Sequence, residues 1–157
     1  MSVRLSVRSA TLVLSAGVLA VTGSVVTGAP ASAADKGKIT RITAQLSGAQ
    51  EVPGRGDPDG TGVGVLEVNR KSGQICYSLN VNNIAPANAA HIHEAARGAA
   101  GPIVKGLLAP VEGRSESCFS DAELAKEIVK APADYYLNVH NTVFPAGAVR
   151  GQLQGRR

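Results

Sequence analysis

Residues 74–81, Gln-Ile-Cys-Tyr-Ser-Leu-Asn-Val, alternate without a break. Ile75, Tyr77, Leu79 and Val81 fall on one face, and Cys76, Ser78 and Asn80 on the other. A repeat of two is the pleat of a half-buried strand, whereas an amphipathic helix repeats near 3.6. Such a strand needs neighbours on its edges and an apolar layer beneath it. Residues 62–69 supply a second run containing Val63, Val65 and Leu66, and Lys71-Ser72-Gly73 turns the chain between them. The spacing predicts a β-hairpin. Further strands are expected over 39–46, 89–94, 103–108, 134–141 and 148–154, the last two joined through Pro145-Ala146-Gly147. Residues 53–60 are dense in Pro, Gly and Asp, which is turn chemistry, and Asp57 and Asp59 are read as turn formers. Residues 95–101 form a small-residue loop. One segment reads as helical. Ser120 and Glu123 have capping-box spacing, Leu124 and Ile128 lie one turn apart, and Pro132 stops the helix. Many short strands with one short helix predict an all-β fold, an antiparallel Greek-key sandwich or barrel.

The N-terminal segment carries Arg4 and Arg8 but no acid, then an apolar stretch over 11–26, then Ala29-Pro30-Ala31-Ser32-Ala33. These are the three parts of a secretory signal. Gly17, Gly23, Gly28 and Pro30 interrupt the run of about 20 apolar residues that a spanning helix would need. The expectation is a signal peptide over 1–33, one domain over 34–157 with no transmembrane segment, and a secreted, extracellular product. Cleavage removes two of the 16 basic residues and none of the 12 acidic ones, so the formal net charge falls from +4 to +2. With no basic block beyond Arg156-Arg157 and few aromatics, nucleic acid is excluded as a partner. The partners left are an extracellular protein or a cell-envelope component.

Cys76 and Cys118 are the only cysteines. In an exported chain two cysteines most simply make one disulfide. Closing a loop of about 42 residues contributes about 3–4 kcal/mol by the chain-entropy argument. A pair of metal thiolates is the alternative, although neither cysteine sits in a C-x-x-C pair.

The three histidines are His91, His93 and His140. Positions i and i+2 of a strand project from one face, so His91 and His93 stand side by side while Ile92 points to the core. Tyr135, Leu137 and Val139 form the apolar face of the later strand, which puts Tyr136, Asn138 and His140 opposite. If the two strands are neighbours, three imidazoles converge, a set suited to copper, zinc, iron or nickel. Glu94 or Asn138 could accept from the outer ring nitrogens. The competing reading gives the histidines a structural role, bonding nearby loops. Other chemistry is sparse. There is no Gly-x-Ser-x-Gly elbow, and no carboxylate pair that can be argued for glycoside chemistry. Arg150 and Gln152 share a strand face expected to meet water.

Three stretches together resemble the chordin-type (CHRD) domain family. They are Ala49-Gln50-Glu51-Val52-Pro53, then Ala90-His91-Ile92-His93-Glu94 with Gly101-Pro102-Ile103-Val104, then 136–142 with Phe144-Pro145-Ala146-Gly147-Ala148-Val149-Arg150-Gly151-Gln152-Leu153. The resemblance spans about 39–154 and implies a β-rich extracellular domain, here as a single copy, without implying a settled function. Its first consequence is a non-enzymatic binding or interaction module. A more local resemblance bears on chemistry. His91-Ile92-His93-Glu94 looks like the His-Val-His-Glu strand of copper/zinc superoxide dismutases, and Val139-His140 like their later Val-His strand. That likeness implies copper-ligand roles for His91, His93 and His140. The sequence lacks a fourth, bridging histidine and a His-rich zinc loop, so dismutase activity is not implied. The alternative function is therefore copper or zinc binding at a three-histidine site.

Overall fold

The computed structural model describes residues 37–155; the expected signal peptide lies outside them. Among the described residues nine strands form one antiparallel sheet. They are β1 (Ile39–Ser47), β2 (Thr61–Asn69), β3 (Gln74–Asn82), β4 (Ala87–Glu94), β5 (Ile103–Leu107), β6 (Arg114–Ser120), β7 (Tyr135–Asn141), β8 (Val149–Gln152) and β9 (Gln154–Gly155), with helix α1 (Ala122–Lys130) between β6 and β7. Their order across the sheet is β5-β4-β7-β8-β1-β2-β3-β6, with β9 pairing β1. The two ends of this order meet. Ser115 Oγ on β6 donates to Leu108 O just after β5, and the Leu108 amide donates to the Tyr77 hydroxyl on β3, both at 2.8 Å. The expected all-β antiparallel fold with one short helix is therefore found, as a nearly closed barrel.

The alternation that predicts β3 matches its burial. Ile75, Tyr77, Leu79 and Val81 are core residues, and Cys76 and Ser78 are half-buried on the outside. The hairpin to β2 closes as expected. Asn69 Oδ1 accepts from the amides of Lys71 and Ser72, and the Gly73 amide donates to Asn69 O. Gly73 takes φ +73°, a conformation that glycine adopts without steric cost. In β2 the inward positions are Gly62, Gly64, Leu66 and Val68, and the valines Val63 and Val65 face outward. A Cβ on Gly64 would come 2.1 Å from Leu137 Cδ1, so the glycine makes room for a leucine from the opposite wall.

Two local expectations are corrected. Arg114–Ser120 is a strand that the periodicity did not single out; it pairs with β3 along its length and brings Cys118 opposite Cys76, where the two form a disulfide. Because Ser120 is the last residue of that strand, it does not cap the helix. Asp121 is the N-cap, its carboxylate accepting from the Leu124 amide at 3.0 Å. Helix α1 then buries Leu124, Ala125 and Ile128 against the barrel core.

Candidate metal centre

β4 lies between β5 and β7, so the adjacency needed for three histidines to converge is present. The register sets His91 opposite Asn138, His93 opposite Tyr136 and Ala89 opposite His140. Ile92, Leu137 and Val139 point into the core, and the imidazoles stand on the other face as the alternation predicts. One nitrogen from each of His91, His93 and His140 lies within 4.8 Å of the others. Two nitrogens bound to one ion at about 2.0–2.1 Å are at most about 4.2 Å apart. Only a trans pair reaches that span, and a tetrahedral pair is about 3.4 Å apart, so a shared ion asks for a contraction of up to about 1.4 Å.

Hydrogen bonds assign the ring protons. His93 Nδ1 lies 2.9 Å from Gly101 O and His140 Nδ1 lies 3.1 Å from Pro145 O. A carbonyl only accepts, so both Nδ1 atoms carry the proton and both Nε2 atoms present a lone pair. His91 Nδ1 is 3.1 Å from His140 Nε2 and is then the donor of that bond. An ion would replace this proton and take His91 Nδ1, His93 Nε2 and His140 Nε2. His93 Nε2 is buried and has no partner at all. All three imidazoles are held below the ordinary histidine pKa, burial being the largest cause in each. Mutual repulsion adds to the effect at His91, and the Arg150 charge adds to it at His93. The neutral form so favoured is the one that ligates metal.

The partners of the His93 and His140 Nδ1 atoms are backbone carbonyls, in place of the expected Glu94 or Asn138. Glu94 is exposed at the end of β4, on the strand side of Ile92. Asn138 does share the histidine face, but its Nδ2 donates to Glu51 Oε2 at 3.3 Å. Gly101 serves the site twice, since its carbonyl receives His93 and its amide donates to the Tyr136 hydroxyl at 3.3 Å. A Cβ on Gly101 would lie 1.8 Å from Glu94 O, so only glycine permits this approach.

Arg150 and Gln152, expected to meet water, are buried at 2% and 4% exposure. Segment 95–101 and the turn at Gly48–Gln50 cover their face. Gln152 Nε2 donates to Ala95 O, Arg150 Nη2 to Ala96 O, and Arg97 Nη1 to Gln50 Oε1. The Arg150 guanidinium lies 3.5 Å from the Tyr136 ring centroid, and Tyr136 stacks on His93 at 4.7 Å with planes 10° apart. This Arg–Tyr–His stack fixes the orientation of the most buried imidazole. Glu51, Tyr136 and Gly101 all lie in the stretches that carry the family resemblance, although nothing in their spacing marks them as a site.

Among the described residues no helix is long and apolar enough to cross a membrane. A family model described as the CHRD domain matches residues 42–153, most of the chain. No curated protein and no solved structure matches it.

Proposed function

Because this chain belongs to the CHRD-domain family, whose fold leaves the chemistry open, we propose an exported, non-enzymatic binding module that holds one transition-metal ion on His91, His93 and His140. The observation that carries this reading is His93 Nε2, a buried lone pair with no partner, aimed from a cluster whose other two nitrogens lie within 4.8 Å. An unpartnered buried acceptor costs about 1–3 kcal/mol, and a bound cation would remove that cost. A purely structural role accounts for the His91–His140 bond and for the two carbonyl bonds but leaves this atom unexplained.

Three imidazoles without a carboxylate favour copper, with zinc next. When bound, the ion would supply a Lewis-acidic centre with an open position. The chain's own part is to keep the rings neutral, hold two of them by carbonyls and shield His93. The Cys76–Cys118 disulfide supports an oxidising compartment, and the partner class proposed for that setting is an extracellular protein or a cell-envelope component.

The test is calorimetric titration of the purified chain with Cu(II) and Zn(II), alongside His93→Ala. One ion per chain is expected with a Kd below about micromolar, weakened at least about 100-fold by the substitution. Weaker binding than micromolar in the parent, or an unchanged Kd in the variant, would overturn the proposal.

A further inference from the structure

Among the described residues Glu51 is a buried carboxylate bonded into the covered histidine face, and nothing in the metal reading uses it. It is 7% exposed. Its carboxyl group lies flat on the β7–β8 turn, where a Cβ on Gly147 would sit 2.5 Å from Cδ and from both oxygens. Oε2 accepts from Asn138 Nδ2 at 3.3 Å. The other two polar atoms of this pair, Glu51 Oε1 and Asn138 Oδ1, are both buried and both lack a partner. As a carboxylate and an amide they are two acceptors with no donor between them. A single proton on Oε1 would supply the missing donor, and an O–H to Oδ1 beside the N–H to Oε2 would close a ring of two hydrogen bonds.

We infer that Glu51 and Asn138 form a carboxylic acid–carboxamide pair, a one-proton latch that holds segment 51–60 against the histidine-bearing face and opens when the proton is lost to solvent. The segment's other hydrogen-bonded ties lie at its two ends and middle: Glu51 N to Gly48 O at 3.2 Å, Gly56 N to Gly48 O at 2.9 Å, Asp57 N to Ala148 O at 2.8 Å, Gly48 N to Gly60 O at 3.3 Å and Asn83 Nδ2 to Asp59 O at 3.4 Å. Beside the latch is a cavity of about 150 Å³ lined by Glu51, Val52, Arg55, Phe144, Pro145 and Gly147. Opening therefore loosens the wall next to Pro145, whose carbonyl orients His140.

Other charges do not cancel the effect. Burial pushes the Glu51 carboxyl up to about 7, against the pull of Arg150 from β8 and of the Asn138 bond from β7. His91 and His93 on β4 and His140 on β7 share the face but make no hydrogen bond or ion pair with Glu51. On its own segment Arg55 is exposed, and Asp57 bonds to Asp59. The sign follows from linkage. Between about 4.5 and 7 the folded chain keeps a proton that the unfolded chain has lost. The latch's contribution is thus complete at acid pH and is lost as pH rises through neutrality.

The experiment uses metal-free protein, so its outcome is separate from that of the metal reading. Carboxyl ¹³C NMR should show one glutamate titrating near neutrality, absent in Glu51→Gln. Glutamine offers an N–H where the acid offers its O–H, so it mimics the closed latch at every pH. The folding constant of Glu51→Gln relative to the parent should rise at least roughly tenfold from pH 5 to pH 8, since raising a pKa by one on folding changes that constant about tenfold. A Glu51 midpoint in the ordinary carboxylate range, or a ratio that does not change with pH, overturns the inference. If Glu51→Gln fails to fold, the parent's midpoint decides alone.

Discussion

The outer face of the barrel is two different surfaces. Across β1, β2, β3 and β6 it is wet. Arg41 pairs with Glu67 at 2.8 Å and Arg114 with Glu116 at 2.8 Å, all four side chains at least half exposed, and the disulfide among them joins half-buried Cys76 to exposed Cys118. Across β4, β7 and β8 the same face is the dry side, largely covered, with His91 and His140 half-buried at its margin. It carries His91, His93, Tyr136, Asn138, His140, Arg150 and Gln152 under the cover of residues 48–51 and 95–101. A polar group facing water always has a partner, whereas a covered one must find its partner in the protein. The described residues contain three buried side-chain atoms without one, Glu51 Oε1, His93 Nε2 and Asn138 Oδ1, and all belong to the dry side. The contrast separates polar residues that meet water from polar residues covered by the protein, some of them without a partner.

If the wet side is held together by its staple, removing the staple should give the largest effect on stability. Cys76→Ser/Cys118→Ser releases a loop with a sequence separation of 42. A loss of about 3–4 kcal/mol is expected by the loop-entropy argument, read from urea denaturation. Metal binding by the folded protein should be unaffected, since the cysteines lie on the other surface. A loss of binding that tracks the disulfide would break the separation between the two sides.

Arg150→Ala probes the dry side by the next largest effect. It removes the stack on Tyr136 and leaves Ala96 O and Gln152 Oε1 without their donor. Abandoning the buried Gln152 Oε1 costs about 1–3 kcal/mol and losing the ring contact about 0.5–1 kcal/mol, whereas Ala96 is exposed and its carbonyl can turn to water, so about 2–3 kcal/mol is expected. His93 would also lose the base of its stack, so metal affinity should fall with stability. Arg150→Lys should not restore the orientation, because an ammonium lacks the planar group that lies on the ring.

Much of this contrast was legible in the sequence, and the unread part has a physical cause. Period-two patterning gave β3, the hairpin and the shared face of His91 and His93, because those are properties of one strand or its neighbour. It also put Arg150 and Gln152 on one face. What it could not give was the cover, since whether a face is dry depends on loops folded over it from distant sequence. The His91–His140 contact joins residues 49 apart in the chain, and strand pairing over that distance leaves no local signal. β6 escaped notice because its residues are largely Ser, Glu and Arg, and an edge strand facing water needs little apolar patterning. The helix cap moved one residue because Ser120 is taken by pairing with Gln74. Glu51 stood in a recognised stretch, yet a lone glutamate beside a proline carries no sign that it will be buried.

The smallest expected effect is the sharpest control. Arg41→Ala deletes an ion pair of 2.8 Å geometry that looks as good on paper as any contact of Arg150, but its side chains are 52% and 51% exposed. Both charges remain hydrated when the partner is lost, so no buried group is abandoned, and ordering two long side chains offsets most of the attraction. A change of about 0.5 kcal/mol or less is expected, shrinking further as salt is raised from about 0.05 to about 0.5 M because exposed pairs are screened over a Debye length of about 10 Å or less at 0.1 M and above. The two arginines then differ severalfold in cost although they lie on the same outer face of one sheet. A loss for Arg41→Ala comparable with that for Arg150→Ala, insensitive to salt, would mean that β1 and β2 are covered as well and that burial does not divide the two surfaces.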